Sequence, residues 1–138
     1  MTMGGAASVL LALSYCVASG TGCRRLQRQG GEAKDVRLTW SIAPDPPATG
    51  PAEVRLALSQ SGTEAPLAGA RLRVEGNMSH PGMAPIFATA GEQAQPGRYQ
   101  ASLTFTMAGD WFLLVTGELA DGRHLARRVD VPAVRSRR

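Results

Sequence analysis

The chain has 138 residues, of which 43% are hydrophobic and 19% charged, with 16 Gly, 9 Pro and 2 Cys. A chain of this size buries enough apolar surface for one self-sufficient domain, which excludes a disulfide-stapled miniprotein, a collagen-like chain and a disordered one. The formal net charge of +4 would ordinarily point to nucleic acid or an anionic membrane, but six of the 15 basic residues are Arg24, Arg25, Arg28, Arg135, Arg137 and Arg138; without them nine basic residues face 11 acidic ones, a balance of −2. A near-neutral middle with basic ends, and no aromatic residues interleaved with a basic face, excludes nucleic acid and leaves an anionic membrane surface as a partner for the ends.

Before Arg24 there is no charged side chain, and Ala6 to Ala18 is apolar or small throughout. That run is shorter than the roughly 20 residues a membrane span needs. Together with the small residues Ser19, Gly20, Thr21 and Gly22 it is expected to be an export signal over residues 1–23. Met1 to Gly5 carry no Lys or Arg, which a start codon placed too far downstream would explain. An uncleaved segment flanked by Arg24, Arg25 and Arg28 would instead leave the domain cytoplasmic. Gly22-Cys23 resembles the end of a bacterial lipobox, with Gly20 where Leu is usual. Cys23 is therefore either a lipidated first residue of the mature protein, periplasmic or membrane-anchored, or a small residue near an ordinary cleavage site. The chain after Cys23 has no cysteine, so nothing in it depends on redox compartment.

Residues 24–34 are polar and aperiodic and are expected to be a flexible tether, leading into a domain at 35–132 and a basic tail at 133–138. The domain alternates short periodic segments with Pro/Gly clusters, an all-β pattern. Val36, Leu38, Trp40 and Ile42 alternate with polar neighbours up to Pro44. Val54, Leu56 and Leu58 follow, then Ala70, Leu72 and Val74, then a weak segment from Ile86 to Ala90. Tyr99, Ala101, Leu103, Phe105 and Met107 give the clearest period of two; Trp111 to Leu119 is denser, and Leu125 to Val131 closes the set. No segment holds a 3.6-residue period, so no helix is expected. About seven short strands at this spacing predict an immunoglobulin-like β-sandwich, and Tyr99, opening a strand after Pro96-Gly97, stands where a tyrosine corner would lie.

Chemistry-bearing residues cluster in one stretch. Met78, His80 and Met83 lie in Asn77-Met78-Ser79-His80-Pro81-Gly82-Met83, and Met107 precedes Ala108-Gly109-Asp110-Trp111. Thioether and imidazole without thiolate or clustered carboxylate suit Cu(I) better than Zn, Ca or Mg. Met78 is in phase with Leu72 and Val74, and Met107 with Leu103 and Phe105, so both are expected to point inward at strand ends. The Pro81-Gly82 turn would fold His80 and Met83 back over them, with Trp111 shielding the ion. The alternative is that inward methionines fill the core and His80 is simply exposed. His124, alone in a turn, is expected to be exposed. No nucleophile elbow, phosphate loop or paired carboxylates occur, so no catalysis is expected.

These motifs carry a resemblance. Gly69-Ala70 opening a strand, Met78-Ser79-His80-Pro81-Gly82-Met83, Gly97-Arg98-Tyr99 and Phe105-Thr106-Met107-Ala108-Gly109-Asp110-Trp111 resemble the YtkA-like domain family and the related FixH family, from about Val36 to about Val131. The resemblance implies an exported or membrane-anchored bacterial sandwich associated with copper handling and with the assembly of copper-containing oxidases. A copper donor or acceptor protein of the envelope would then be its partner. The motif positions carried over are Met78, His80, Met83, Met107 and Trp111. FixH-type members have a full membrane anchor, where this chain has a shorter apolar segment.

Overall fold

The computed structural model describes residues 31–138; the expected export signal over residues 1–23, Cys23 and the three arginines after it lie outside the described residues. Among the described residues seven antiparallel strands form and no helix: β1 (Val36–Ala43), β2 (Gly50–Gln60), β3 (Arg71–Met78), β4 (Ile86–Glu92), β5 (Arg98–Phe105), β6 (Gly109–Glu118) and β7 (His124–Val134). Hydrogen-bonded neighbours run β1-β2-β5-β4-β3-β6-β7. The long ladders make two layers, β1-β2-β5 and β4-β3-β6-β7. Only Gly91 and Glu92 at the end of β4 reach across to Gln100 and Tyr99 of β5 and join them. The result is the expected all-β sandwich, its two layers linked into one nearly closed sheet.

Period-two alternation produces this directly, because successive side chains of a strand face opposite sides. Val54, Leu56 and Leu58 of β2, Leu72 and Val74 of β3, Tyr99, Ala101, Leu103 and Phe105 of β5, and Trp111, Leu113 and Val115 of β6 are all buried, while no polar or charged residue is buried among the described residues other than the Tyr99 phenol. Phe105 and Trp111 meet edge to face across the layers, ring centroids 5.2 Å apart at 66°, an arrangement favoured by the aromatic quadrupole. Gly117 lies where β6 approaches β3, so a methyl group there would collide with the Arg71 carbonyl.

The outer strands depart from simple parity. Trp40 has the same phase as its buried cross-strand partner Leu56 but is 39% exposed, because β1 ends the hydrogen-bonded order and has a neighbour on one side only. β1 and β7 do not pair along their lengths. Instead the chain flanking β1 meets both ends of β7 in parallel, Glu32 with His124 and Ala48 with Arg135. The ordered domain therefore extends past 35–132 on both sides. Ala33, in the stretch expected to be tether, is fully buried and donates to the His124 carbonyl at 2.8 Å. In the stretch expected to be a loose tail, Arg135 donates to Pro47 O at 2.9 Å and Arg137 to Thr49 Oγ1 at 2.9 Å.

Tyr99 is 1% exposed, and its hydroxyl donates to Leu67 O at 2.7 Å and accepts from Ala70 N at 3.0 Å. A tyrosine corner bonds a few residues upstream; here the partners are about 30 residues away in sequence, so the phenol pins the connection between β2 and β3. Tyr99→Phe leaves a part-buried carbonyl and amide without their phenol partner and is expected to cost about 1 kcal/mol in urea denaturation.

Arg123, in the β6–β7 turn, ties that turn to the chain just before β1. Its guanidinium bonds Asp35 Oδ1 at 2.5 Å and Asp121 Oδ2 at 2.8 Å, and Gln60 Nε2 donates to Asp35 Oδ2 at 2.5 Å. The Gln60 amide, with Asp35's own backbone and Arg123, holds the Asp35 carboxyl below its ordinary value; the Arg123 backbone amide and side chain do the same for Asp121. A carboxyl depressed in the folded state contributes stability above its unfolded pKa and loses it as pH falls through the folded one. Wild type is therefore expected to lose more thermal stability than Asp35→Asn/Asp121→Asn as pH falls below about 4, and the two should show parallel profiles above about pH 5. Melting curves across that range check this.

Candidate functional site

One end of the sandwich gathers the motif residues. β3 finishes at Met78, which lies opposite Trp111 at the start of β6. The loop leaving Met78 is held there by Ser79 N donating to Asp110 O at 3.2 Å. β5 stops at Phe105, so Met107 sits in the turn to β6 rather than in the strand. The Trp111 indole donates to Met107 O at 3.0 Å, which fixes that turn against the core.

Gly109 makes the arrangement work. Its φ of +134° is a conformation few residues with a side chain adopt, and an added Cβ would lie 3.0 Å from the Met78 methyl carbon. The register of β6 on β7 shifts between Gly109 and Trp111, a bulge. Asp110 Oδ1 accepts from Ala133 N at 2.9 Å on the β7 side. Bulges commonly re-aim side chains at a sheet end. The Met-x-Gly-x-Trp spacing thus has a physical content: a turn methionine, a residue with no side chain beneath Met78, and an indole that bonds the turn. Asp110 carries two of the contacts at this end and was not singled out by its residue type; its place between the bulge glycine and the tryptophan is the signal for it.

The expected inward pair is corrected in one member. Met78 is half-buried and packs against the core, as its phase requires. Met107 is 48% exposed, because the alternation that carried it inward ends with the strand at Phe105. His80 is exposed and Met83 half-buried, both in the loop between β3 and β4, where Gly82 turns the chain at φ +86°. Trp111 is 2% exposed, packed on Phe105, with its N–H bonded. It is a wall of the core at this end, not a free π face. The structure therefore sets Met78 opposite Trp111 and bonds Trp111 to Met107, and it places His80 and Met83 on the loop that follows Met78. His124 is exposed at the start of β7, as expected.

Chemically, this end offers three thioethers and one imidazole. Among the described residues no three His, Cys, Asp or Glu side chains converge as a metal site, so the donors on hand here are the soft ones. No curated protein gives a significant match to the chain. The YtkA-like family model matches residues 32–116, a span that opens at the β1 flank, ends within β6 and contains Met78, His80, Met83, Met107 and Trp111. With well over half of its length matched, the chain belongs to the YtkA-like family.

Proposed function

We propose that this YtkA-like protein is exported, held at the bacterial envelope, and binds Cu(I) through Met78, His80, Met83 and Met107 for copper handling or delivery to a donor or acceptor protein. The observation that carries this reading is Met107: a thioether 48% exposed, on a turn anchored by the Trp111 indole, at the same end as half-buried Met78. Methionine is ordinarily placed in cores, and one displayed on the turn at the end of the sandwich where Met78 lies is better accounted for by a soft ligand than by packing. Export rests on the apolar run from Ala6 to Ala18, and membrane attachment on lipid at Cys23 or on the basic ends.

Competition against a chromophoric Cu(I) chelator tests the site. Wild type is expected to take up about one Cu(I) per chain, and His80→Ala/Met107→Leu to lose that uptake. Both side chains are exposed, so the double variant should stay within about 0.5 kcal/mol of wild type in stability. Undiminished uptake in the folded double variant contradicts the proposal. A second reading, a non-catalytic interaction module, is favoured by the packing of Met78 and Trp111 into the core; it predicts no uptake by the wild type.

A further inference from the structure

The outward face of the β1-β2-β5 layer carries a concave site, unconnected with the methionines. Residues of opposite parity to buried Leu56 and Tyr99 face outward here, and the register sets Ser41, Arg55 and Gln100 in one row, with Arg98 in the next. The chain between β4 and β5 closes as a hairpin, Gln93 N donating to Arg98 O at 2.7 Å and Arg98 N to Gln95 O at 3.2 Å, and its Gln93 and Gln95 border this face. This face holds a cleft of about 490 Å³, bounded by Thr39, Arg55, Arg98, Gln93, Gln95 and Gln100. That is within the size range of small-ligand sites. It lies at the opening end of β5, whereas Met107 follows its far end; eight strand residues, at about 3.3 Å each, put the two sites on the order of 25 Å apart.

The charges at the cleft are unequal. Arg55 is paired with Glu53 at 2.6 Å, and neighbouring Arg37 with Glu64 at 2.5 Å. Arg98 is exposed and has no ion-pair partner among the described residues. One guanidinium is thus left to meet an anion, and its planar fork suits a carboxylate. Three glutamine amides around it each present donors and an acceptor, the complement of vicinal hydroxyl groups. We infer that this cleft binds a hydroxyl-rich ligand bearing one anionic group, the chemistry of an acidic sugar.

Calorimetric titration of the full-length protein with glucuronosyl-glucose, with cellobiose as its uncharged counterpart and with inorganic phosphate, tests the inference. Glucuronosyl-glucose is expected to bind, and cellobiose and phosphate to bind at least about tenfold more weakly, since each lacks either the anion or the hydroxyls. Arg98→Gln is expected to weaken glucuronosyl-glucose binding about tenfold. Gln100→Ala, which keeps both guanidiniums, should weaken it about threefold and serves if the first variant does not fold. Binding should be the same with and without Cu(I), so its failure and the failure of the copper reading are separate results. Absence of heat with glucuronosyl-glucose overturns the inference, as does equal affinity for cellobiose or phosphate, or full affinity in both folded variants.

Discussion

Replacing Trp111 with alanine is expected to cost about 3–5 kcal/mol, a large share of the roughly 5–15 kcal/mol that holds a domain of this kind together. Trp111 is the largest of the fully buried side chains. Its loss opens a cavity beside Phe105, removes the edge-to-face contact and leaves Met107 O without the indole N–H. The turn bearing Met107 is anchored by that bond, so the same change is expected to weaken Cu(I) uptake even where the protein still folds. Trp111→Phe separates the effects, because it keeps most of the buried ring and loses only the N–H. Chemical denaturation followed by circular dichroism reads the stability difference; a cost for Trp111→Ala below about 1 kcal/mol would be inconsistent with a packed interior at this position.

Gly97→Ala is expected to cost about 2–4 kcal/mol, the sum of left-handed backbone strain and overlap with fixed backbone. Gly97 has φ +75°, and an added Cβ would lie 2.8 Å from Leu58 O and 3.0 Å from Leu67 N. Neither atom is free to move. Leu58 donates to Gly97 O at 2.9 Å, and Leu67 O accepts the Tyr99 hydroxyl. Gly122 has a similar φ of +86° but nothing within 4 Å of an added Cβ. Gly122→Ala therefore carries the strain alone, about 1 kcal/mol. Thermal or urea melts of the two variants isolate the close approach, and equal costs would show that the space around Gly97 relaxes.

How far residue order dictated the outcome differs along the chain for physical reasons. Tyr99 to Phe105 alternates cleanly and forms β5, because a half-buried strand leaves little choice of face. Even the segment from Ile86 to Ala90, with sparse apolar residues, forms β4. Parity states which face a residue takes while the strand continues, but not where the strand stops. Met107 has the inward phase and lies beyond the last pair, so it ends exposed. Trp40 also has the inward phase, but an edge strand has no second neighbour to cover it. Ala33 and Arg135 lie in aperiodic segments and are held by parallel pairing with β7 and by bonds to the chain before β2. Such contacts join residues about ninety positions apart and leave no local pattern.

The candidate site was legible as a cluster of residue types and as a spacing, not as a geometry. The glycine in Met-x-Gly-x-Trp is explained only once Met78 is seen above Gly109. Trp111, expected to cover an ion, is committed to Phe105 and to the Met107 carbonyl. His80 and Met83 sit in a loop where no periodicity constrains orientation. The cleft around Arg98 is assembled from three separate segments, and its components are ordinary surface residues when taken one at a time.

X-ray absorption at the copper edge of the Cu(I)-loaded, full-length protein tests the central claim most directly. The expected spectrum contains sulfur scatterers together with an imidazole nitrogen, the sulfur contribution shrinking in Met107→Leu and the imidazole signature vanishing in His80→Ala. A first shell made only of oxygen and nitrogen, unchanged by either substitution, would contradict a methionine-histidine copper site at this end of the sandwich.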